Sequence, residues 1–151
     1  MNKEIIFRGK DENGKWVYGN LYNTDNNESY ILPSSTLYIT ESDGDEMRCL
    51  YVAHRIKDTD TINQYIGIDD KNGTKIFEGD ILVIESTDLD DNTINHFGGE
   101  VLYLPDRAIY VVDIEYDYIS FDIMKDASAY TYSYSIIGNV HDTSTLDKLI
   151  K

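Results

Sequence analysis

Short apolar runs alternate with polar turn residues along most of the chain, which is the pattern of a protein built from strands. The first run, 5–7, is followed by the turn residues 11–14 and a second run at 15–18. Asn-Gly pairs favour tight hairpin turns, because Gly, and Asn more than most residues, tolerate a positive φ. The same order recurs at 64–77 around Asn72-Gly73. The sequence therefore predicts two β-hairpins.

The returning strand of the first hairpin has two large aromatic residues on one face. Trp16 and Tyr18 share that face and Val17 takes the other, because side chains alternate along a strand. We expect Trp16 to be substantially buried.

The middle of the chain combines the most apolar run with a long polar segment. Ile81-Leu82-Val83-Ile84 is typical of a strand covered on both faces. Residues 86–99 are polar and net negative, and we expect a long loop there. We predict one unit over residues 1–151. Within it, Lys57–Asp60 is the best boundary between two sub-lobes, 1–58 and 59–151.

Alternating apolar positions continue in the second half. Even positions are apolar from 108 to 116 and odd positions from 119 to 123, so the change of parity predicts a turn near Asp117-Tyr118. The segment 130–136 predicts one further strand. Short strands are predicted at 30–32, 37–39 and 47–52, the last of which contains Cys49, and an acidic loop is predicted at 41–46. At the C-terminus we predict a short helix that Ser144 caps, with Leu146, Leu149 and Ile150 on one side.

Composition agrees with this pattern, since Ile, Val, Thr and Tyr favour strands and the chain has 13 Tyr. We therefore predict a mainly β fold with a short C-terminal helix. Two architectures are open: a small SH3-like or open barrel, and lobes of twisted antiparallel sheet.

The net charge of −15, from 28 acidic and 13 basic residues, limits the partners. Such a surface repels phosphate backbones and anionic lipid, so we expect neither direct nucleic-acid binding nor membrane binding. The acids either keep the protein soluble or mimic nucleic acid. With a single cysteine, no signal-peptide pattern and no apolar run of roughly 18 residues, we expect the protein in the cytoplasm.

No catalytic constellation is recognisable in the sequence. His54, His96 and His141 are far apart and lie in no metal-binding motif. Asp88, Asp90 and Asn92 match positions 1, 3 and 5 of a calcium-binding EF-hand loop, but Thr93 and Gly99 stand where that loop needs Gly and a bidentate Glu. We expect no enzyme, no cofactor and no metal. A small metal-dependent hydrolase acting on a phosphoester, with His141 as a ligand, is the alternative.

Two sets of residues are candidates for binding a ligand or partner. Tyr130, Tyr132 and Tyr134 share one strand face, where they could stack on a nucleotide or pack into the core or a subunit contact. Asp88, Asp90 and Asp91 could meet a basic protein. The sequence leaves both ligand classes open.

Three segments together resemble the YopX family of phage and prophage proteins. They are Ile6–Gly19 with its Phe-Arg-Gly-Lys and Asn-Gly-Lys-Trp motifs, Gln64–Ile81 with Asn-Gly-x-Lys-Ile-Phe-Glu-Gly-Asp, and Ile136-Ile137-Gly138-Asn139-Val140. The ending 141–146 departs from the family's usual Glu-Asn-Pro-Glu-Leu-like stretch. The resemblance implies a phage accessory protein that forms a homo-oligomer, from a family without an established activity. Our leading hypothesis is a binding protein that sequesters or modulates a host factor, with counter-defence as one such role. It supplies no catalytic residues.

Overall fold

The computed structural model describes residues 3–33 and 53–142. Within these residues the chain forms eleven strands and one short α-helix. The strands are β1 Phe7–Lys10, β2 Trp16–Asn23, β3 Ser29–Leu32, β4 His54–Ile56, β5 Asn63–Asp69, β6 Lys75–Phe77, β7 Asp80–Asp88, β8 Ile94–Leu104, β9 Ile109–Asp113, β10 Tyr118–Ser120 and β11 Tyr130–Asn139, and the helix α1 is Phe121–Asp126.

The strands form two antiparallel sheets, so the predicted mainly β fold is confirmed. The first sheet has six strands in the order β4-β3-β2-β1-β5-β6, and the second has five in the order β10-β9-β8-β7-β11. Neither sheet closes into a barrel among the described residues, so the sheet alternative describes the architecture and the SH3-like barrel does not.

The chain divides into two compact units, residues 1–65 and 66–151. The division falls within β5, whereas Lys57–Asp60, the boundary expected from the sequence, precede that strand. Residues 57–60 overlap a 3₁₀ turn, Thr59–Thr61. Asp58 caps this turn by accepting a hydrogen bond from the backbone N–H of Asp60 at 3.2 Å.

Both predicted hairpins are confirmed, and an aspartate fixes each turn in the same way. Asp11 accepts hydrogen bonds from the backbone N–H groups of Asn13 at 2.9 Å and Lys15 at 3.0 Å. Asp70 accepts from Asn72 and Thr74, both at 2.9 Å. Burial alone would raise the pKa of Asp70, but these backbone donors outweigh it and lower the pKa. The two turns are thus local structures that the sequence alone encodes.

The prediction that Trp16 is substantially buried is wrong, because the buried face of β2 is the one that carries Val17. Val17 is buried with Ile31 and Ile56 in the core of the first unit, while Tyr18 is exposed and Trp16 only half-buried. Gly9, opposite Val17 on β1, decides the face, because a Cβ there would lie 3.1 Å from the Cδ1 atom of Ile56. Trp16 instead packs under the guanidinium of Arg8, 4.7 Å from the ring centroid.

One face of the apolar run of β7, Leu82 and Ile84, lies in the core of the second unit, while Ile81 and Val83 lie on the other face. Leu82 and Ile84 are fully buried and Ile81 nearly so, while Val83 is half-buried. The buried residues of this core are Ile66, Ile76, Leu82, Ile84, Val101, Val112, Phe121 and Met124.

The prediction of a long loop at 86–99 is wrong. Strand β7 continues to Asp88 and β8 begins at Ile94, so only 89–93 connect them. Ser86 pairs with Asn95 and Thr87 with Ile94 across the two strands. Polar residues occupy both faces of this part of the hairpin, including buried Ser86, so apolar alternation, the usual signal of a strand, is lost.

The turn near Asp117 is confirmed, but the strand expected at 119–123 is not. The N–H of Ile114 donates to the carbonyl of Asp117 at 2.9 Å, and β10 then ends at Ser120. Ser120 caps α1 by accepting from the N–H of Ile123 at 3.3 Å. Phe121 and Met124, three residues apart, face the core, and Ile123 is exposed. In so short a segment, helical and strand spacing cannot be distinguished.

Some predicted elements lie outside the described residues. These are the strand at 37–39, the acidic loop 41–46, the strand at 47–52 that contains Cys49, and the C-terminal helix with Ser144, Leu146, Leu149 and Ile150.

A buried carboxylate joins the start of β7 to the end of β11. Asp80 is 1% exposed and accepts hydrogen bonds from the backbone N–H of Phe77 at 2.8 Å and from the side-chain amide of Asn139 at 3.4 Å. Asn139 in turn accepts from the N–H of His141 at 2.7 Å. These bonds fix where β11 ends against β7.

Removing the side chain of Ile31 tests the core of the first unit. Ile31→Ala should lower the free energy of unfolding by about 2–5 kcal/mol, because it leaves a cavity in a fully buried site. Tyr22→Ala, on the exposed side of the same sheet, should change it by less than about 0.5 kcal/mol. Urea denaturation followed by fluorescence measures both. Equal losses in the two variants would contradict the assignment of the faces.

Removing the amide of Asn139 tests the buried hydrogen bonds of Asp80. Asn139→Ala should cost about 1–3 kcal/mol of unfolding free energy, because a buried carboxylate loses a donor. Asn95→Ala, an exposed amide on β8, serves as the control and should be nearly neutral. If the two variants are equally stable in the same denaturation experiment, Asp80 does not depend on Asn139.

Candidate functional site

Strands β7 and β8 extend beyond the core as a long hairpin, and β11 lies along β7 as a third strand. The β7–β11 pairing is continuous from Tyr130 opposite Asp88 to Asn139 opposite Asp80, apart from one shift between Ile136 and Gly138. We call the outer part of these three strands, from Glu85 to His96 with Tyr130–Ser133, the arm.

The arm brings one residue of each predicted binding set together. Tyr130 is the cross-strand partner of Asp88. The N–H of Leu89 donates to the carbonyl of Ala129 at 3.0 Å, which ties the acidic turn to the strand that carries the tyrosines. This contact joins segments about forty residues apart in sequence. Sequence reasoning identified each set but had no means of pairing them.

The carboxylates of the turn also shape it. Asp88 accepts a hydrogen bond from the N–H of Asp90 at 2.8 Å, and Asp91 accepts from the N–H of Thr93 at 2.8 Å. Asn92 adopts a positive φ of 60° at the tightest point of the turn. Hydrogen bonds from the hydroxyl and the backbone of Thr93 lower the pKa of Asp91. The turn therefore holds negative charge in a fixed geometry at neutral pH.

The three tyrosines differ in exposure. Tyr134 meets Phe121 edge to face, with ring centroids 5.4 Å apart, and burial raises the pKa of its phenol. Tyr132 also packs against the core. Tyr130 lies 6.3 Å from Tyr132, centroid to centroid, and is 39% exposed. Only the ring at the outer end is thus open to a partner over a large part of its surface.

Two apolar side chains that sequence reasoning missed lie beside the acidic turn. Leu89 and Ile94 are each 53% exposed. Single apolar residues inside a polar stretch are the only signal that the sequence offers for them. We define the arm tip as the end of the hairpin that carries Asp88, Leu89, Asp90, Asp91, Ile94 and Tyr130. Because side chains alternate along strands, Asp88 and its partner Tyr130 lie on one face and Ile94, the partner of Thr87, lies on the other.

The candidate metal and catalytic residues form no cluster. Among residues 3–33 and 53–142, no group of three or more His, Cys, Asp or Glu side chains is placed to hold a metal ion. His96 Nε2 lies 3.2 Å from Glu85 Oε2 on the exposed part of the arm, so His96 belongs to strand β8 and not to the long loop expected at 86–99. His54 Nδ1 is 4.0 Å from Asp11 Oδ2.

No helix in the described part of the chain is long and apolar enough to span a membrane.

These residues define a mainly β protein of two antiparallel sheets, with an acidic arm of three strands as its most distinctive surface. The family model described as YopX protein matches residues 6–147. The chain therefore belongs to the YopX family, as the resemblance implied. No curated protein matches the sequence.

The hydroxyl of Thr93 provides a direct test of the turn. Thr93→Val should raise the pKa of Asp91 toward its ordinary value of 3.8, because the strongest hydrogen bond to the carboxylate is lost. With the folded pKa lowered, this carboxyl stabilises the hairpin above its ordinary pKa, and that contribution disappears as the pH falls through the lowered value. Carbon-detected NMR titration of the Asp91 carboxyl measures the shift. Thr87→Val, on the same hairpin, is the control and should leave the Asp91 titration unchanged.

Proposed function

We propose that this chain is a non-catalytic binding protein whose arm tip engages a basic surface of a host protein, in the role of a phage accessory factor. The observation that carries the proposal is the composition of the arm tip: three exposed apolar or aromatic side chains, Leu89, Ile94 and Tyr130, lie at the same end of the hairpin as three carboxylates. Protein interfaces combine an apolar and aromatic centre with a polar rim in the same way.

The charge of the whole chain supports a basic protein as the partner. A net charge of −15 attracts positively charged surfaces over several ångströms and accelerates encounter with them. The apolar side chains of the tip then supply the contact area that charge alone does not, because ion pairs exposed to water contribute little affinity. Within the arm tip, the carboxylates thereby provide the long-range attraction and the apolar side chains provide the close contact.

A nucleotide ligand is less well supported by the same geometry. Stacking on a base requires an open aromatic face, and Tyr132 and Tyr134 use theirs against the core. A phosphate near Tyr130 would also lie close to Asp88, which repels it. We therefore propose the protein partner and keep the nucleotide as an outcome of the experiment.

Family membership supports the biological side of the proposal. The YopX resemblance implies an accessory role in phage and prophage, which fits sequestration or modulation of a host factor in the host cytoplasm, with counter-defence as the setting we propose. It also implies a homo-oligomer, and several copies of the arm in one assembly would raise the effective affinity for a partner.

The experiment compares two triple variants of equal charge. Asp88→Asn, Asp90→Asn and Asp91→Asn together remove the negative charge of the tip and keep a side-chain oxygen that can accept the turn's hydrogen bonds. Asp25→Asn, Asp106→Asn and Asp126→Asn remove three exposed charges elsewhere. Losing three carboxylates brings the net charge from −15 to −12 in either variant.

Each protein is used to capture partners from host lysate, and the partner retained by the wild type is then purified for kinetic measurement. We expect the tip variant to lose that partner and the control variant to keep it. The association rate with the wild type should fall steeply with added salt, because exposed charges are screened beyond about 8 Å at physiological ionic strength. Capture that the tip variant retains in full would refute the proposal.

Two further outcomes would replace the proposal with its rivals. A nucleotide that raises the melting temperature, with the effect lost in Tyr130→Ala and Tyr132→Ala, would establish the nucleotide ligand. Metal-dependent hydrolysis of a phosphoester, lost in His141→Ala with the fold intact, would establish the enzyme.

A further inference from the structure

A groove of about 380 Å³ lies along the five-stranded sheet at the inner end of the arm. Leu82 and Ile84 point into the core, so their neighbours on β7 point to the opposite, outer face. The groove is lined by residues that include Ile81, Val83, Gly98, Gly99, Glu100 and Ile137, and we call it the outer groove.

A β-bulge in β11 gives the groove one of its walls. Ile136 pairs with Leu82 and Gly138 with Ile81, so Ile137 is an extra residue without a cross-strand partner. Extra residues of this kind re-aim a side chain relative to a regular strand. Ile137 remains 47% exposed although it is large and apolar. Its exposed surface is therefore available to a ligand in the groove.

Two consecutive glycines leave the opposite side of the groove bare. Gly98 pairs with Val83 and Gly99 with Leu82. A Cβ at Gly98 would collide with the carbonyl oxygen of Leu82, and one at Gly99 with the carbonyl oxygen of Asp113. Only glycine fits between the strands at these two positions. At Gly98, the partner of Val83 on the outer face, the absence of a side chain keeps the groove open.

One end of the groove is negatively charged. Glu100 lies in the groove and is the cross-strand partner of Asp113 on β9. Partial burial, followed by repulsion from Asp113 and from Glu78, raises the pKa of the Glu100 carboxyl. A cation placed at Glu100 would relieve this repulsion, so the charge at this end is complementary to a positively charged group.

We propose that the outer groove binds the side chain of a lysine from the partner protein, with the alkyl stem along Val83 and Ile137 and the ammonium at Glu100. Lysine combines a flexible stem of four carbons with a compact charge, which matches an apolar groove that ends in one carboxylate. Arginine, whose planar guanidinium favours a carboxylate that it can bind through two nitrogens, fits less well. This assignment rests on the proposed function, since it names a feature of the same partner.

Small probes test the groove without the partner. Nitrogen-15 NMR of the full chain is recorded during titration with Nα-acetyl-lysine amide, using the backbone N–H groups of Gly98 and Gly99 as reporters. We expect saturable shifts at these two glycines. The norleucine analogue has almost the same stem without the charge, and it should bind at least about fivefold more weakly, the effect of losing a partly exposed ion pair.

A pair of variants assigns the charge. Glu100→Gln should weaken binding of the lysine probe by about fivefold, whereas Glu85→Gln, on the outer face of the same sheet but outside the groove, should leave it unchanged. Equal binding of the lysine and norleucine probes by the wild-type protein would overturn the inference without reliance on any variant. An arginine probe that binds as tightly as the lysine probe would overturn the choice of lysine.

The outcomes separate this inference from the proposed function. The triple variant of the arm tip should bind the lysine probe as tightly as the wild type, because none of its three substitutions lies in the groove. If the probe fails to bind while the tip variant still loses the partner, the groove assignment is wrong and the proposed function stands. If the probe binds while the tip variant keeps the partner, the proposed function is wrong and the groove remains a site for an aliphatic ammonium.

Discussion

The carboxylate of Asp80 is the interaction on which the geometry of the second unit depends. A buried charge is costly unless hydrogen bonds compensate for it, and here the donors come from Phe77 before β7 and from Asn139 at the far end of β11. The bond from Asn139 to Asp80 forms only where β11 ends opposite the start of β7. Because side chains alternate along strands, a shift by one residue would turn Tyr132 and Tyr134 away from the core.

Both functional proposals follow from that register. Counting outward from Asp80, the pairing reaches Asp88 opposite Tyr130, which assembles the arm tip. The single shift in the pairing lies between Ile136 and Gly138 and exposes Ile137 beside the outer groove. A stabilising contact in the interior thus positions two separate surfaces, although neither Asp80 nor Asn139 belongs to the arm tip or to the six residues that define the groove.

The sequence revealed those features whose causes are local. The two hairpins could be predicted because each turn is encoded by an Asn-Gly pair, and the aspartate that fixes each turn lies within four residues of its donors. Strand pairing over long distances could not be predicted, so the contact of Tyr130 with Asp88 and the groove at Glu100 were missed. The outer half of β7 and β8 has the polar composition of a loop because its residues are polar on both faces, buried Ser86 included, so no apolar period marks the strands. Trp16 was assigned to the wrong face because both faces of β2 carry large apolar side chains, and only the packing of Gly9 against Ile56 decides between them.

The arm also has a consequence for how this protein can change over generations. Its tip residues lie outside both hydrophobic cores, so substitutions at Leu89, Asp90 or Ile94 cost little stability, and under the proposed function they would alter recognition. Asp88 and Asp91 are more constrained, since they hold the turn. A protein that must follow a changing target benefits from such a separation, because specificity can drift in a few positions while the scaffold is conserved by selection on folding alone.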